Sequence, residues 1–201
     1  MPRLLLATTN KGKAAEYRDL LKDLDFEIVT LDQAGISQEA DESYDTFEEN
    51  ARQKAAFYAE LGGLLTLADD SGLEVDALNG EPGVRSSRYA GDNATDAERV
   101  DFLLNKLKSI PRQKRRARFR CVIAIAQPGG PVQTVEDTCD GYISMEPKGL
   151  NGFGYDPVFY LSDYDKTIAE LPPEIKNRIS HRGRAAQKAR LLLQKYAGSP
   201  E

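Results

Sequence analysis

The stretch TLADDSGLEV, residues 66–75, places two adjacent carboxylates and a glycine directly behind an apolar run. The apolar run ends at Ala68 and is typical of a buried strand. Open α/β sheets commonly bind ligands where a strand ends. Asp and Gly are equally typical of a turn, in which Asp bonds backbone N–H groups and Gly72 adopts a positive φ. The sequence therefore predicts a strand that ends at Ala68, followed by either a turn or a functional site at Asp69 and Asp70.

The rest of the chain alternates strand-like and helix-like segments before a late hairpin and a final helix. Thr46 with Glu49, and Thr95 with Glu98, have the spacing of capping boxes, which open helices. This order predicts an α/β fold with a mixed central sheet flanked by helices, two lobes around an active-site cleft, and a single domain over residues 1–201. The predicted strands are at 4–9, 26–30, 64–68, 117–127 and 132–143. The predicted helices start near 13, run over 46–61 and start at 95, and a C-terminal helix contains Ala186, Ala189, Leu193 and Tyr196. Residues 32–45 and 76–94 are predicted to be irregular.

Composition limits the possible functions. The chain has 201 residues, 40% of them hydrophobic, and a net charge of −5, which argues against a general nucleic-acid-binding protein. No apolar run approaches the roughly 18 residues of a membrane span, and the N-terminus lacks signal-peptide features, so we expect a cytoplasmic protein without a membrane partner. The chain has two cysteines, Cys121 and Cys139, which do not form a CxxC pair, and one histidine, His181. These are too few ligands for a typical zinc site. We expect reduced, buried thiols, and any metal should be a hard cation held by carboxylates.

The run RQKRRARFR, Arg112–Arg120, departs from the acidic balance of the chain. The simplest interpretation is a solvated loop that leads into a strand, and the alternative is a surface that contacts phosphate. An RNA-binding module would depend on this run alone and would bind RNA with a strong salt dependence.

In ATTNKGKAAE, residues 7–16, a strand is followed by a helix that we expect to start near Lys13. The free N–H groups and positive dipole end of a helix N-terminus favour an anion, and a glycine allows close approach of the backbone. The segment is not a Walker A loop, because the first glycine of that motif is missing. The alternative is that Asn10 is only an N-cap and the lysines lie on the surface. The candidate phosphate-binding residues are Thr8, Thr9, Asn10, Lys11, Gly12 and Lys13.

The paired acids suggest a cation site. Adjacent side chains of an extended chain point to opposite faces, so we expect one of Asp69 and Asp70 to enter a given site. Unpaired acids in a dry cleft raise one another's pKa, and a divalent cation removes that penalty. Glu42, upstream, is a candidate for a second carboxylate. Asn50 and Lys54 lie four residues apart and share a helix face, which on its own is typical of a solvated surface.

Two later segments carry groups suited to a nucleotide base. In GLNGFGYDPVFY, residues 149–160, glycines surround Phe153 and Tyr155, which is typical of a stacking platform for a base or of a tight loop whose aromatics fill the core. In EIKNRISHRGRAAQKA, residues 174–189, a dense group of donors suits a polyanion or base carbonyl oxygens, although a lone histidine is more often structural. The donors are Lys176, Arg178, His181, Arg182 and Arg184.

Together these pieces describe a site for a nucleoside triphosphate with Mg²⁺, and their order resembles a known family. TTNKGK, FEENARQKA, ADDSGLEVDAL, GFGYDPVF and ISHRG stand in the order of the noncanonical purine NTP pyrophosphatases, which hydrolyse ITP, dITP and XTP. The resemblance runs from about residue 3 to residue 196. It implies Mg²⁺-dependent hydrolysis to the nucleoside monophosphate and pyrophosphate, which cleanses the nucleotide pool, and a homodimeric α/β protein.

The resemblance also implies roles for individual residues. Asp70 would be the metal ligand and general base, and Glu42 the second metal-linked carboxylate. Two departures stand out: ADESYD lacks the usual ETG after the upstream acid, and Arg112–Arg120 has no family role. The implied substrate contacts are Thr8, Thr9, Asn10, Lys11, Gly12, Lys13, Lys54, Ser71, Phe153, Gly154, Tyr155, Asp156, Lys176, His181 and Arg182.

Other function classes are less consistent with these residues. A serine hydrolase is excluded because Ser71 does not lie in GxSxG. A noncatalytic nucleotide sensor would share the binding residues but lack a working metal–carboxylate centre, so Asp69, Asp70 and Glu42 favour an enzyme.

Overall fold

A computed structural model describes residues 1–197 and contains both parallel and antiparallel strands. The strands are β1 Arg3–Ala7, β2 Glu27–Thr30, β3 Leu65–Val75, β4 Arg116–Ala126, β5 Gln133–Ile143, β6 Phe159–Leu161 and β7 Lys166–Thr167. The helices are α1 Lys11–Leu21, α2 Phe47–Gly62, α3 Asp96–Lys106, α4 Pro173–Ile179 and α5 His181–Ala197. Among residues 1–197, no helix has the length and apolar character needed to cross a bilayer.

The sheet has seven strands in the order β2-β1-β3-β4-β5-β6-β7. β1 runs parallel to both of its neighbours, with Leu4 opposite Ile28 of β2 and Leu65 of β3. β6 is antiparallel to β5 and to β7. The predicted mixed sheet of an α/β fold is therefore confirmed, as is the late β4–β5 hairpin.

β3 is longer than the sequence predicts. It continues without interruption from Leu65 to Val75, so the prediction that it ends at Ala68 is wrong, and so is the turn with a positive φ at Gly72. The two acids lie inside the strand because cationic side chains from distant parts of the chain compensate their charge, as described below.

Side-chain caps define the helix starts. Asn10 Oδ1 accepts from the backbone N–H of Lys13 at 3.0 Å, so α1 begins at Lys11 rather than near Lys13. Thr95 and Glu98 form the predicted capping box of α3. At α2, Thr46 accepts from the Glu49 N–H, which is one half of that motif.

The chain separates into two compact units, each with its own hydrophobic core. Unit 1 comprises residues 1–70 and 121–137 and the chain from Arg182, and unit 2 comprises residues 71–120 and 138–181. The single domain over 1–201 stays a prediction. The core of unit 1 includes Leu4, Leu6, Tyr17, Leu21, Leu67, Ile123, Ile125, Ala189 and Leu193, and that of unit 2 includes Leu73, Val75, Leu103, Leu107, Phe119, Ile143 and Phe159. Cys121 and Cys139 are buried free thiols, as expected.

In the basic run Arg112–Arg120, residues 112–115 precede β4, as the interpretation as a loop before a strand predicts, whereas residues 116–120 are the first five residues of β4 itself. Arg115 departs from that interpretation, because its side chain is buried instead of solvated and donates to the carbonyls of Leu107, Ile110 and Ser144 at 2.8–3.1 Å. Glu74 lies 3.8 Å from Arg118 and 3.6 Å from Arg120. Three arginines of the run are thus engaged within unit 2.

Candidate active site

The N-terminus of α1 has the features of an anion site. Residues 8–10 connect β1 to α1, and the Asn10 N–H donates to Thr8 Oγ1 at 3.2 Å. The first turn contains no acidic residue. Its N–H groups, with Lys11, Gly12 and Lys13, therefore present positive potential toward any anion that approaches this end of the helix.

Asp69 carries the buried carboxylate around which the cationic side chains of unit 1 lie. The sequence did not predict this role. The Asp69 side chain is 1% exposed, with Oδ2 at 3.1 Å from Lys13 Nζ and 3.6 Å from Arg182 Nε. Cys121 Sγ lies 3.8 Å from the same oxygen. Burial acts to raise the pKa of Asp69, but the cations of Lys13, Arg182 and Lys54 outweigh it and hold the pKa below its ordinary value. Asp69 is therefore a permanent anion that orients two cations.

Asp70 has the opposite electrostatic character. It is buried, and burial raises its pKa to about 6; the Asp69 and Glu42 carboxylates act in the same direction, against Lys13 and Lys54. Both acids interact electrostatically with the same two lysines, and the expectation that one of them enters a given site stays a prediction. Two neighbouring acids whose pKa values are pushed apart are a frequent signature of an acid–base centre.

Lys54 connects the carboxylates to α2. Its Nζ lies 2.7 Å from Glu42 Oε1 and donates to the backbone carbonyl of Asp69 at 3.1 Å. Burial acts to lower the pKa of Lys54, but Glu42 and Asp69 raise it above its ordinary value, so the lysine is a stable cation. The shared helix face of Asn50 and Lys54 is buried, contrary to the solvated surface that is typical of such a pair.

The residues present fit a divalent cation held together with a substrate. Asp70 and Glu42 repel each other, and a cation between carboxylates removes such repulsion. Within residues 1–197, no group of three or more His, Cys, Asp or Glu side chains is placed to hold a metal alone. Mg²⁺ is usually bound by one or two carboxylates, waters and substrate phosphates. The donor set matches that mode of binding.

Arg182 is buried at the start of α5 and engaged with two carboxylates. Its Nη1 lies 2.7 Å from Glu16 Oε2 of α1, in addition to the contact with Asp69. Burial acts to lower the pKa of its guanidinium, but Asp69 and Glu16 raise it well above its ordinary value. Sequence reasoning missed Glu16, for which helical spacing gives no signal because its partner is remote in the chain.

In unit 2, Asp156 organises the aromatic segment. Its Oδ2 accepts from the Phe153 N–H at 2.9 Å and from Lys176 Nζ at 2.5 Å. Lys176 Nζ also lies 4.6 Å from the centre of the Phe153 ring, which is cation–π geometry. Gly152 has φ +77°, and a Cβ there would lie 2.1 Å from Asp156 Oδ2, so only glycine allows this arrangement.

Some neighbouring residues of unit 2 pack in its core, and others hold the backbone of the aromatic segment in place. Tyr155 is buried, and its hydroxyl donates to the Ser86 carbonyl at 2.9 Å, so its ring fills the core as the alternative interpretation expected. Gly154 N–H donates to Asp96 Oδ2 at 2.6 Å. His181 is buried and its ring stacks on Phe119 at 4.6 Å between centroids. Ser71 lies in β3, directly after Asp70.

The structure thus collects the predicted residues into two groups, one in each unit. Unit 1 brings together the lysines and carboxylates at the N-terminus of α1, and unit 2 brings together an aromatic ring, an acid and a lysine. These features define a mixed α/β protein whose unit 1 groups lysines and carboxylates in the way that is typical of sites for a polyphosphate with a divalent cation.

Comparison with known proteins agrees with this class. Residues 4–191 match the model of the Ham1 family. A dITP/XTP pyrophosphatase from Desulfotalea psychrophila is 52% identical over 185 residues, which cover 92% of this chain and 82% of the relative. A dITP/XTP pyrophosphatase from Bacillus subtilis is 44% identical over 194 residues, which cover 96% and 98%. The solved structure of a HAM1 protein from Coxiella burnetii gives a TM-score of 0.88 at 43% identity and covers 97% of this chain and 100% of that one. The chain belongs to the Ham1 family.

Proposed function

We propose that this protein is a nucleoside-triphosphate pyrophosphatase that hydrolyses noncanonical purine nucleoside triphosphates, dITP, XTP and ITP, to the monophosphate and pyrophosphate. The observation that carries the proposal is the charged cluster of unit 1, in which Lys13 Nζ lies 3.1 Å from Asp69 Oδ2 and Lys54 Nζ lies 2.7 Å from Glu42 Oε1, next to the buried Asp70. The two curated relatives are named for activity on dITP and XTP.

The triphosphate is bound at the N-terminus of α1 by Thr8 to Lys13. Asp69 holds the Lys13 ammonium at 3.1 Å, so this cation is oriented before substrate arrives. Lys54 faces the phosphates from α2. As the bond between the α-phosphorus and the bridging oxygen breaks, the two lysines stabilise the negative charge that develops on pyrophosphate.

Asp70 is the general base. In the metal-free protein the pKa of Asp70 is about 6, so this carboxylate is ionised at neutral pH and can accept a proton. It takes a proton from the water that attacks the α-phosphorus. Asp70 and Glu42 would hold Mg²⁺, which when bound neutralises phosphate oxygens and lowers the pKa of water.

Base recognition follows from hydrogen-bond polarity. Inosine and xanthine have a carbonyl at C6, where adenine has an amino group. We assign stacking to Phe153, the rest of the base pocket to Gly154, Asp156 and the backbone of Tyr155, and donation to Lys176, His181 and Arg182, with Ser71 contacting substrate next to Asp70. A buried donor left facing another donor costs about 1–3 kcal/mol. Sites built around a hydrogen bond can reject the wrong partner by roughly 10⁴-fold.

We expect a cytoplasmic homodimer that removes deaminated nucleotides from the pool and needs neither nucleic acid nor membrane.

Product analysis tests the proposed function. XTP is incubated with the protein and Mg²⁺, or with EDTA, and the products are separated by ion chromatography. We expect XMP and pyrophosphate in equal amounts with Mg²⁺ and neither with EDTA. Asp70→Asn should abolish turnover, whereas Asp19→Asn, an exposed acid on α1, should leave it unchanged. Release of single phosphates, or turnover by Asp70→Asn at the rate of the unaltered protein, would contradict the proposal.

A further inference from the structure

The residue assigned as the second cation ligand, Glu42, lies in a segment without regular structure. Residues 38–44, QEADESY, here called the acidic segment, adopt neither helix nor strand. Most of the segment is exposed, and the Glu42 side chain is 45% exposed. A carboxylate on such a segment needs support from elsewhere if it is to occupy a fixed position.

One face of α2 supplies that support. Asn50, Lys54 and Tyr58 follow one another at intervals of four residues, so they form a single row along the helix. All three are buried, with exposed fractions of 2%, 7% and 4%. Polar groups buried to this extent on a helix face are expected to have partners, and the acidic segment provides them.

Tyr58 binds the beginning of the acidic segment. Its hydroxyl donates to the Gln38 carbonyl at 3.1 Å and accepts from the Ala40 N–H at 3.3 Å. One phenol oxygen therefore binds two backbone groups of the segment, and removal of that atom leaves both without this partner.

Asn50 binds the end of the acidic segment in the same way. Its Oδ1 accepts from the Tyr44 N–H and its Nδ2 donates to the Tyr44 carbonyl, both at 3.1 Å. Only a carboxamide supplies a donor and an acceptor in this pairing, because an aspartate would lose the donor.

Lys54 completes the row, with its Nζ at 2.7 Å from Glu42. Tyr58, nearest the C-terminal end of α2, contacts Gln38 and Ala40. Lys54 contacts Glu42, and Asn50, nearest the N-terminal end, contacts Tyr44. The segment therefore runs antiparallel to α2, and Glu42 lies between the two places where its backbone is bound.

We propose that Asn50 and Tyr58 are positioning residues that hold Glu42 where it can share a cation with Asp70, and so set the affinity of the site for divalent metal. This inference rests on the proposed function, which assigns Glu42 and Asp70 to the cation. Without the two contacts, the segment has to be ordered when the cation binds, and affinity falls by the corresponding entropy. Loss of hydrogen bonds that orient metal ligands typically weakens metal binding 10- to 100-fold.

The test measures Mn²⁺ binding by EPR in the presence of a saturating nonhydrolysable XTP analogue, and the Mn²⁺ bound by the analogue alone is measured without protein. Tyr58→Phe and Asn50→Ala should each raise the Kd for Mn²⁺ about tenfold. Tyr196→Phe, which removes a phenol that accepts from Gln133 in the same unit, is the matched control and should leave the Kd unchanged.

The same substitutions are then combined with Glu42→Gln. If Asn50 and Tyr58 act through Glu42, neither should weaken Mn²⁺ binding further in that background. An equal loss in both backgrounds would show a general structural effect and overturn the proposal. Glu42→Gln with unaltered Mn²⁺ affinity would contradict the assignment of Glu42 to the cation, whereas weak binding by Glu42→Gln with unaltered binding by Tyr58→Phe and Asn50→Ala would overturn the positioning role alone.

Hydrogen exchange gives a readout that needs no metal. The Ala40 amide should exchange faster in Tyr58→Phe, and the Tyr44 amide faster in Asn50→Ala. Unchanged exchange at both amides would show that the row does not order the segment, and it would overturn the proposal.

Discussion

The opposed pKa shifts of the two neighbouring acids predict that the same substitution, Asp to Asn, has opposite effects on stability at adjacent positions. The pKa of Asp70 is about 6 in the folded protein against an ordinary value of 3.8. Each pKa unit corresponds to about 1.36 kcal/mol, so ionised Asp70 destabilises the fold by roughly 3 kcal/mol above pH 6. Asp70→Asn removes this cost and should stabilise the metal-free protein, although it abolishes activity.

The pH dependence identifies the cause. Between pH 4 and pH 6 the folded state keeps the proton on Asp70 while the unfolded chain has released it. The folded state therefore binds more protons, and stability falls as pH rises through this window. Asn does not titrate, so the gain from Asp70→Asn should grow from near zero at pH 4 to roughly 3 kcal/mol at pH 8.

Asp69→Asn is the matched control. The pKa of Asp69 is lowered, so its stabilising contribution is present above its ordinary pKa and is lost only in acid. Removing its charge leaves Lys13 and Arg182 without their buried counter-ion, which should cost about 3 kcal/mol or more from pH 4.5 to pH 8.

The assay is urea unfolding followed by circular dichroism in EDTA, at pH 4.5, 6 and 8. A loss of stability for Asp70→Asn at pH 8, or a gain that is the same at pH 4.5 and pH 8, would refute the electrostatic account of this acid pair.

Three further predictions concern individual contacts. Gly152→Ala places a Cβ 2.1 Å from Asp156 Oδ2, so the Asp156 side chain has to move. Steady-state kinetics should then show a KM for XTP raised at least tenfold with little change in kcat. A lower kcat at unchanged KM would contradict the base-pocket role. Lys54→Met should lower kcat about 10²-fold because a cation beside the leaving pyrophosphate is lost, and an unchanged kcat would remove Lys54 from the mechanism. Arg115→Met leaves three backbone carbonyls without a charged donor and should reduce the free energy of unfolding by about 3 kcal/mol in urea titrations with no effect on Kd for XTP; full stability would show that these hydrogen bonds contribute little.

Local signals in the sequence predicted much of the fold. Thr46 and Thr95 accept from the N–H groups of Glu49 and Glu98, as their spacing predicted, and Asn10 caps α1, which was the alternative interpretation of that segment. Helical spacing placed Asn50 and Lys54 on one face. These features depend on neighbours within a few residues, which the sequence displays directly.

The group of charged side chains around Asp69 could not be predicted in the same way. Asp69 is stable within β3 because Lys13 and Arg182, both remote in sequence, neutralise it. Without those partners, two adjacent acids and a glycine are more typical of a turn, which is why the predicted strand ended too early. The burial of Arg115 has the same origin, since Ser144, one of its three carbonyl partners, comes from a distant segment.

The most direct test of the central claim is a competition experiment in which dITP and dATP, at equal concentrations, are offered together with Mg²⁺. Pyrophosphate and the two monophosphates are quantified by ion chromatography during the first tenth of the reaction, which gives the ratio of the two kcat/KM values. The account predicts dIMP and pyrophosphate in equal amounts, with dAMP lower by a factor of roughly 10² or more. Equal formation of dIMP and dAMP would contradict base selection, and the absence of both would contradict the proposed activity.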